Sequence, residues 1–435
     1  MPPSSDPAAW SLTAAREAIR AGTLSPVALV EACLARIRAS DEALQAWVHV
    51  DADGARAQAA ERADDARRGV VRGPLHGIPV GIKDIFDVAG MPTRAGAAAW
   101  AHTMPDRDAV SVQMLRAKGA IILGKTHTTQ FAFRDPAPTV NPWNREHTPG
   151  GSSSGSAAAV AARMVPVALG SQTVGSVLRP AAYCGVVGYK GPHGRISTEG
   201  VIPLAWSLDH VGVFARSVAD VRLVLEVYGI DAEIPAGRPA RLALATDLLA
   251  RAEPDVADNV RAVARAFAAA GAQVQEITLP PSFGEIHAAG QLILEAEAAA
   301  YHEPSFGKHA AEYGEGIRTL VQTGLTRGAP AYVRADRARR RFADDTARAL
   351  APYDALLSPT APALPPRGLA WTGDASLCAP WSSTGFPALT LPTGLAASGL
   401  PHAVQLVGVP SRAAALLHVG AWCEGVLAFE SAPSL

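Results

Sequence analysis

Residues 149–161 read PGGSSSGSAAAVA. Three consecutive serines lie on a glycine-rich backbone, and an alanine-rich run follows. Such a stretch fits a flexible linker, a phosphate-binding loop or a catalytic loop. A Gly/Ser linker joins separable halves, but this one lies between a predicted helix and a buried strand with no break in composition. A phosphate loop of the G-K-[ST] type supplies a lysine and a metal-binding hydroxyl, and that ending is missing, although a glycine-rich turn before a helix can still hold an anion on free N–H groups. The catalytic reading gains from a second loop, GSQTVGSVLRP at 170–180. There Gly175-Ser176 again puts a hydroxyl on a bare backbone. A serine that attacks a carbonyl needs a base to take its proton and backbone donors aimed at the oxyanion that develops. Neighbouring glycines let those donors come close.

Two bases offer themselves. WSLDH at 206–210 contains Ser207, Asp209 and His210. Members of a Ser-His-Asp relay must converge from different directions, so these near-adjacent residues read as structural ones at a turn. The other base is Lys83, at the end of the apolar, glycine-flanked stretch PLHGIPVGIKDIFDV (74–88), as in Ser-Lys hydrolases. To act near neutral pH its pKa must fall from about 10.4 to about 7, roughly 4–5 kcal/mol against the charged form, which burial can supply. On its own, Lys83 reads more often as a buried structural cation than as a base.

Composition narrows the setting. The 435 residues carry a formal charge of −1 and are 49% hydrophobic, enough for a large core. The charge balance argues against a nucleic-acid surface and against a polybasic membrane anchor. The opening MPPSSDPAAW does not read as a secretory signal, and no apolar run of about 18 residues suggests a membrane span. Cys33, Cys184, Cys378 and Cys423 lie far apart without C-x-x-C spacing and read as reduced and buried. The twelve histidines show no H-E-x-x-H spacing. The expectation is a cytoplasmic protein with no metal, no cofactor, no nucleic-acid partner and no membrane.

Along the chain, Ser25-Pro26 predicts a helix start, with Val27, Val30, Leu34 and Ile37 at helical spacing. Further helices are predicted around 53–68, 109–118 and 157–162, and one carries Val256, Val260, Val263 and Phe267 on a single face until Gly271. Strands are predicted ending near Lys83, and at 120–123 (followed by a turn at Gly124-Lys125), 165–169, 272–279, 388–391 and 403–407. A further strand runs into the proline-rich loop within 355–366. Residues 332–350, rich in arginine but carrying Asp336, Asp344 and Asp345, read as a solvated helix face. Helix–strand alternation without repeats or a clean linker indicates one α/β domain.

These pieces together resemble the amidase signature family. The resemblance runs through GPLHGIPVGIKD (73–84), AIILGKTHTTQFAF (120–133), NPWNREHTPGGSSSGSAAAVAA (141–162), GSQTVGSVLRPAAYCGVVGYKGPHGRIS (170–197), WSLDHVGVFARSVAD (206–220) and GFPALTLPTGL (385–395). It implies a single domain over 1–435 whose mixed, mostly parallel central sheet is covered by helices on both faces. Residues 1–70 would be a helical segment packed on the core, 71–220 the signature core, and 221–435 the rest of the sheet and the pocket helices. It further implies a Ser-cisSer-Lys triad: Ser176 the nucleophile, Ser152 the bridging serine after a cis peptide bond, and Lys83 the base. The oxyanion hole would be the backbone N–H groups of Thr173, Val174, Gly175 and Ser176. Ser153, Ser154 and Ser156 are then expected to satisfy loop and helix-start donors.

The wording departs from the family's commonest G-T-D-T-G-G-S-I-R. Gln172 stands for an acid and Val174 for a glycine, which puts side-chain packing at the oxyanion loop in question. Arg179 follows the serine by three residues instead of two, and S-V-L-R-P resembles the malonamidase-like branch, where the arginine grips the free carboxylate of a small amide-acid. Arg179 could do so through a bidentate fork or serve as a structural ion pair. Carboxybiuret hydrolases of the same family also take small acids bearing amide nitrogen. The implied function is hydrolysis of the C–N bond of a small amide, one bearing a carboxylate, through a serine acyl-enzyme that releases ammonia or an amine. The alternatives are a glutaminase subunit of a tRNA-dependent amidotransferase and an inactive small-ligand-binding member. A homodimer is compatible with the resemblance.

Overall fold

The computed structural model describes residues 5–97, 100, 102–230 and 239–434. Among them eleven strands form one sheet. In chain order these are β1 (Trp47–Val50), β2 (Pro79–Lys83), β3 (Ile121–Thr126), β4 (Val167–Gln172), β5 (Val187–Lys190) and β6 (His210–Ala215), then β7 (Arg241–Ala245), β8 (Gln273–Ile277), β9 (Ala355–Pro359), β10 (Ala388–Leu395) and β11 (Pro401–Val407). Across the sheet the order is β1-β3-β2-β4-β6-β5-β10-β11-β9-β7-β8. The sheet is mixed, as expected, but it is not mostly parallel. Six neighbouring pairs run antiparallel and four parallel. Parallel neighbours need a crossover connection, and β5–β6 and β10–β11 are joined with no helix between them.

Helices cover both faces. Thr390 Oγ1 donates to the Leu178 carbonyl (3.2 Å) in the helix Leu178–Cys184. The preceding Leu389 points the other way, as successive strand residues do, and lies against Gly420 of the helix Ala413–Leu427, where a Cβ would stand 2.2 Å from Leu389 Cδ2. The largest hydrophobic cluster runs from Ala8 to Cys423, a second includes Leu178, Leu356 and Trp381, and one sheet carries all the described strands, so the chain is a single α/β domain. The four cysteines are buried and free, as expected.

Local expectations hold where the signal is strong. Ser25 caps Pro26–Leu44, accepting from the Val27 N–H. The predicted face of Pro254–Ala269 buries Val256, Val260, Val263 and Phe267. On Ala329–Ala349, Asp336 pairs with Arg339 and Arg340, and Asp345 with Arg348. One turn is corrected: Gly124-Lys125 does not break the chain but continues β3. A Cβ at Gly124 would stand 2.2 Å from the His49 carbonyl of β1, so the glycine makes room for the neighbouring strand.

Candidate active site

The site grows from the adjacent ends of β2 and β4. All five residues of β2 and all six of β4 are buried, so Lys83, the last residue of β2, is delivered into the interior and is fully inaccessible. Its Nζ donates to Ser152 Oγ (2.6 Å) and to Ser171 Oγ (2.9 Å). Burial holds its pKa well below the ordinary lysine value, and the charge of Asp209 opposes that shift only in part. A neighbouring lysine shows the contrast. Lys125, paired in register with Ile82 of β2, is equally buried but forms an ion pair with Asp84 at 2.9 Å. Among the described residues Lys83 has no such ion pair.

The serine loop lies between Lys83 and the helix Leu178–Cys184. The Gly151–Ser152 peptide bond is cis, as the resemblance implied. Ser153, Ser154 and Ser156 do not satisfy helix-start donors, which corrects that expectation. Ser153 Oγ donates to the Ser171 carbonyl and accepts the Ser171 N–H. Ser154 Oγ donates to the Gly150 carbonyl, and Ser156 Oγ to the Leu169 carbonyl. The loop and its helix are wedged so closely on β4 that Ser153 and Ser156 serve the sheet, while Ser154 ties back the loop itself. A Cβ at Gly170 would stand 2.7 Å from Ser153 Oγ.

Ser176 follows β4 in the turn before Leu178–Cys184. It is 8% exposed, and its carbonyl accepts the Ser153 N–H at 3.4 Å. Among the described residues, no hydrogen bond joins Ser152 Oγ to Ser176 Oγ. Such contacts are often long in the absence of substrate and tighten when it binds. The N–H groups of Thr173, Val174, Gly175 and Ser176 donate to no described residue, whereas those of Val177 and Leu178 are both taken by Gln172 Oε1, at 2.9 and 3.0 Å. Thr173, Val174, Gly175, Ser176 and Arg179 help to line a cavity of about 350 Å³. At Gln172 and Val174 the packing is well defined. Gln172 accepts as a carboxylate would and also donates to Ser382 Oγ (2.9 Å), which in turn donates to the Val174 carbonyl (2.8 Å). The Val174 side chain is partly buried and packs against the main hydrophobic cluster. Gly175 has no room for a side chain, because a Cβ there would stand 2.7 Å from that of Ala375.

Arg179 lies at this cavity but is no ion pair. Its Nη1 donates to the Gly373 carbonyl, and its Nη2 to the Gly151 carbonyl (2.6 Å) and Thr372 Oγ1 (3.1 Å). Nε is buried without a partner. Among the described residues no carboxylate pairs with it, and burial lowers its pKa.

The residues of WSLDH diverge, as the turn reading requires. Ser207 Oγ donates to Glu297 (2.5 Å), and His210 Nδ1 contacts the Leu208 carbonyl (2.6 Å). Asp209 accepts from Thr173 Oγ1 (2.5 Å) and from the N–H groups of Leu204 and Ala205. Two contributors escape a reading of the sequence. Ser171 bonds Lys83, and Asp209 holds Thr173. The only signal for Ser171 is its position in the same strand that leads to Ser176.

Comparison with known proteins identifies the family. Residues 28–417 match the Amidase family model. A glutamyl-tRNA(Gln) amidotransferase subunit from Roseiflexus castenholzii is 36% identical over 463 aligned positions, covering 93% of each chain. The crystal structure of an amidase superposes with a TM-score of 0.89 at 31% identity, covering 96% of this chain and 99% of the other. A peptide amidase in complex with the competitive inhibitor chymostatin superposes with a TM-score of 0.86 at 32% identity, covering 98% and 99%. The chain belongs to the amidase signature family.

Proposed function

We propose that the chain hydrolyses the C–N bond of a small amide bearing a carboxylate, with Ser176 as nucleophile, Ser152 as proton relay and Lys83 as base. The observation that carries this reading is the buried 2.6 Å contact between Lys83 Nζ and Ser152 Oγ, with no acid paired to the lysine, beside four free backbone donors. Neutral Lys83 takes the proton of Ser152 as Ser152 takes that of Ser176. The Ser176 oxygen attacks the amide carbon, and the oxyanion is held by the 173–176 backbone. The proton returns through Ser152 to the leaving nitrogen, the C–N bond breaks, and ammonia or an amine departs. Water then attacks the Ser176 ester by the same relay, releasing the acid and restoring the serine. Covalent catalysis gains by dividing one hard step into two.

The carboxylate preference is supported by Arg179, a buried cation at the cavity without an acidic partner. It matches the malonamidase-like wording S-V-L-R-P. The test is ammonia release from paired amides: malonamate, carboxybiuret, propionamide, benzamide and glutamine, with Ser176→Ala as blank. Faster turnover of the acids supports the reading. Preference for neutral or bulky amides keeps the triad and overturns the carboxylate assignment.

A second reading has its own support. The amidotransferase relative from Roseiflexus castenholzii matches over 93% of its length, which favours a glutaminase working with other chains. Its mark would be copurification with partner subunits and tRNA, and glutamine hydrolysis that depends on them. An inactive binding member is disfavoured by the retained Lys83–Ser152 contact.

A further inference from the structure

Within the cavity that holds Ser176, three charged residues line the wall: Arg134, Arg179 and Asp374. Two cations against one anion leave one net positive charge, and a confined, positively charged wall concentrates anions. Arg179 has three of its hydrogen bonds engaged by Gly151, Thr372 and Gly373. Arg134 differs. It is exposed, and its guanidinium makes no hydrogen bond or ion pair with any described residue. It lies over the ring of its neighbour Phe133, 5.3 Å from the centroid.

The chain around Arg134 is tied down on both sides. Gln130 bonds the Glu312 carbonyl and the Gly314 N–H, and Thr129 Oγ1 donates to the Phe133 carbonyl (2.8 Å). Asp135 accepts the N–H groups of Gly316 and Ile317. Phe131 and Ala132 are consecutive left-handed residues, at φ 47° and 60°, a conformation uncommon for residues other than glycine. The Phe131 ring packs on Trp100, His302 and Tyr313. Backbone outliers of this kind persist only where surrounding structure over-determines them, and they cluster at ligand sites. A fixed segment thus presents one uncommitted guanidinium at the cavity wall. Arg134 also lines an adjoining cavity of about 340 Å³ that shares Thr173, Val174, Gln291, Leu294, Asp374 and Ala375 with the first.

We propose that Arg134 is a specificity-determining residue, the direct docking point for the substrate's carboxylate, with Arg179 holding the loops and contributing field from behind Ser176. This rests on the carboxylate reading above. The guanidinium fork suits a carboxylate bidentately, and its exposed position lets the acid seat while the amide reaches Ser176. Asp374 on the same wall disfavours substrates with a second anionic group.

The test compares malonamate with propionamide, and succinamate with butyramide, in wild type, Arg134→Met and Arg134→Lys. In Arg134→Met the acid-to-neutral ratio of kcat/KM falls about 10- to 100-fold, the span of one charge-assisted contact, with the loss in KM more than in kcat. Arg134→Lys recovers part of the ratio, which a misfolded loop would not. An acid preference that survives in Arg134→Met overturns this assignment while leaving the carboxylate reading intact. A wild type without acid preference overturns both.

Discussion

Lys83 and Lys125 are both fully buried, in register-adjacent positions of neighbouring strands, and their partners decide what each can do. Asp84 keeps company with Lys125, whereas Lys83 meets two serine hydroxyls. A buried amine surrounded by neutral donors and acceptors loses its proton readily, because desolvation penalises the charged form. In the proposed mechanism the neutral amine is the active form, so kcat/KM should rise with pH through the lowered lysine pKa and then level off. Asp209 favours the charged lysine, and Asp209→Asn should move this acid limb to lower pH. Burial raises Asp209 itself to about 6, so the variant also separates the two titrations. A profile flat down to pH 5 contradicts the lysine base. Arg179→Ala should lower the acid-to-neutral ratio of kcat/KM, and should also slow neutral amides, because three hydrogen bonds to the loops at 151 and 372–373 are lost. Equal losses on both substrates would make Arg179 purely structural. Lys83, Ser152 and Ser176 are legible as candidates in the sequence because each sits in a motif whose spacing carries the resemblance. Ser171, Asp209 and Arg134 are not, since nothing local in the sequence states what a strand's alternate residue or a loop residue will face.

At the scale of elements, the turn 173–176 works because its neighbours are anchored. Gln172 takes two N–H groups at the start of Leu178–Cys184 and tethers Ser382, which holds the Val174 carbonyl. Gln172→Ala would leave those buried groups unpaired, at about 1–3 kcal/mol for such a loss. It should lower the denaturant midpoint and reduce kcat, and unchanged stability would contradict this account of the turn. The long amphipathic and capped helices are readable from period and cap residues. The serine cluster is readable as a site but not in its bonding. Helix-start serines ordinarily accept from N–H groups; here the close approach to β4, allowed at Gly170, gives Ser153 and Ser156 strand carbonyls to bond, and Ser154 bonds the Gly150 carbonyl of its own loop.

At the scale of the molecule, helix–strand alternation indicates an α/β domain, but pairing sense depends on which strands become neighbours. β10 and β11, near the C-terminus, insert between β5 and β9, a long-range choice that no local pattern encodes. The site draws on both halves of the chain, since Arg179 bonds Thr372 and Gly373 and Gln172 bonds Ser382. Under the amidohydrolase reading the isolated chain should turn over small amides with no other chain added, and strict dependence on partner chains would favour the amidotransferase reading. The most direct test of the central claim is a serine-reactive fluorophosphonate with the adduct mapped by peptide mass spectrometry. The account predicts one adduct, on Ser176, formed far more slowly in Lys83→Ala. An adduct on another serine, or none on the folded protein, would contradict it.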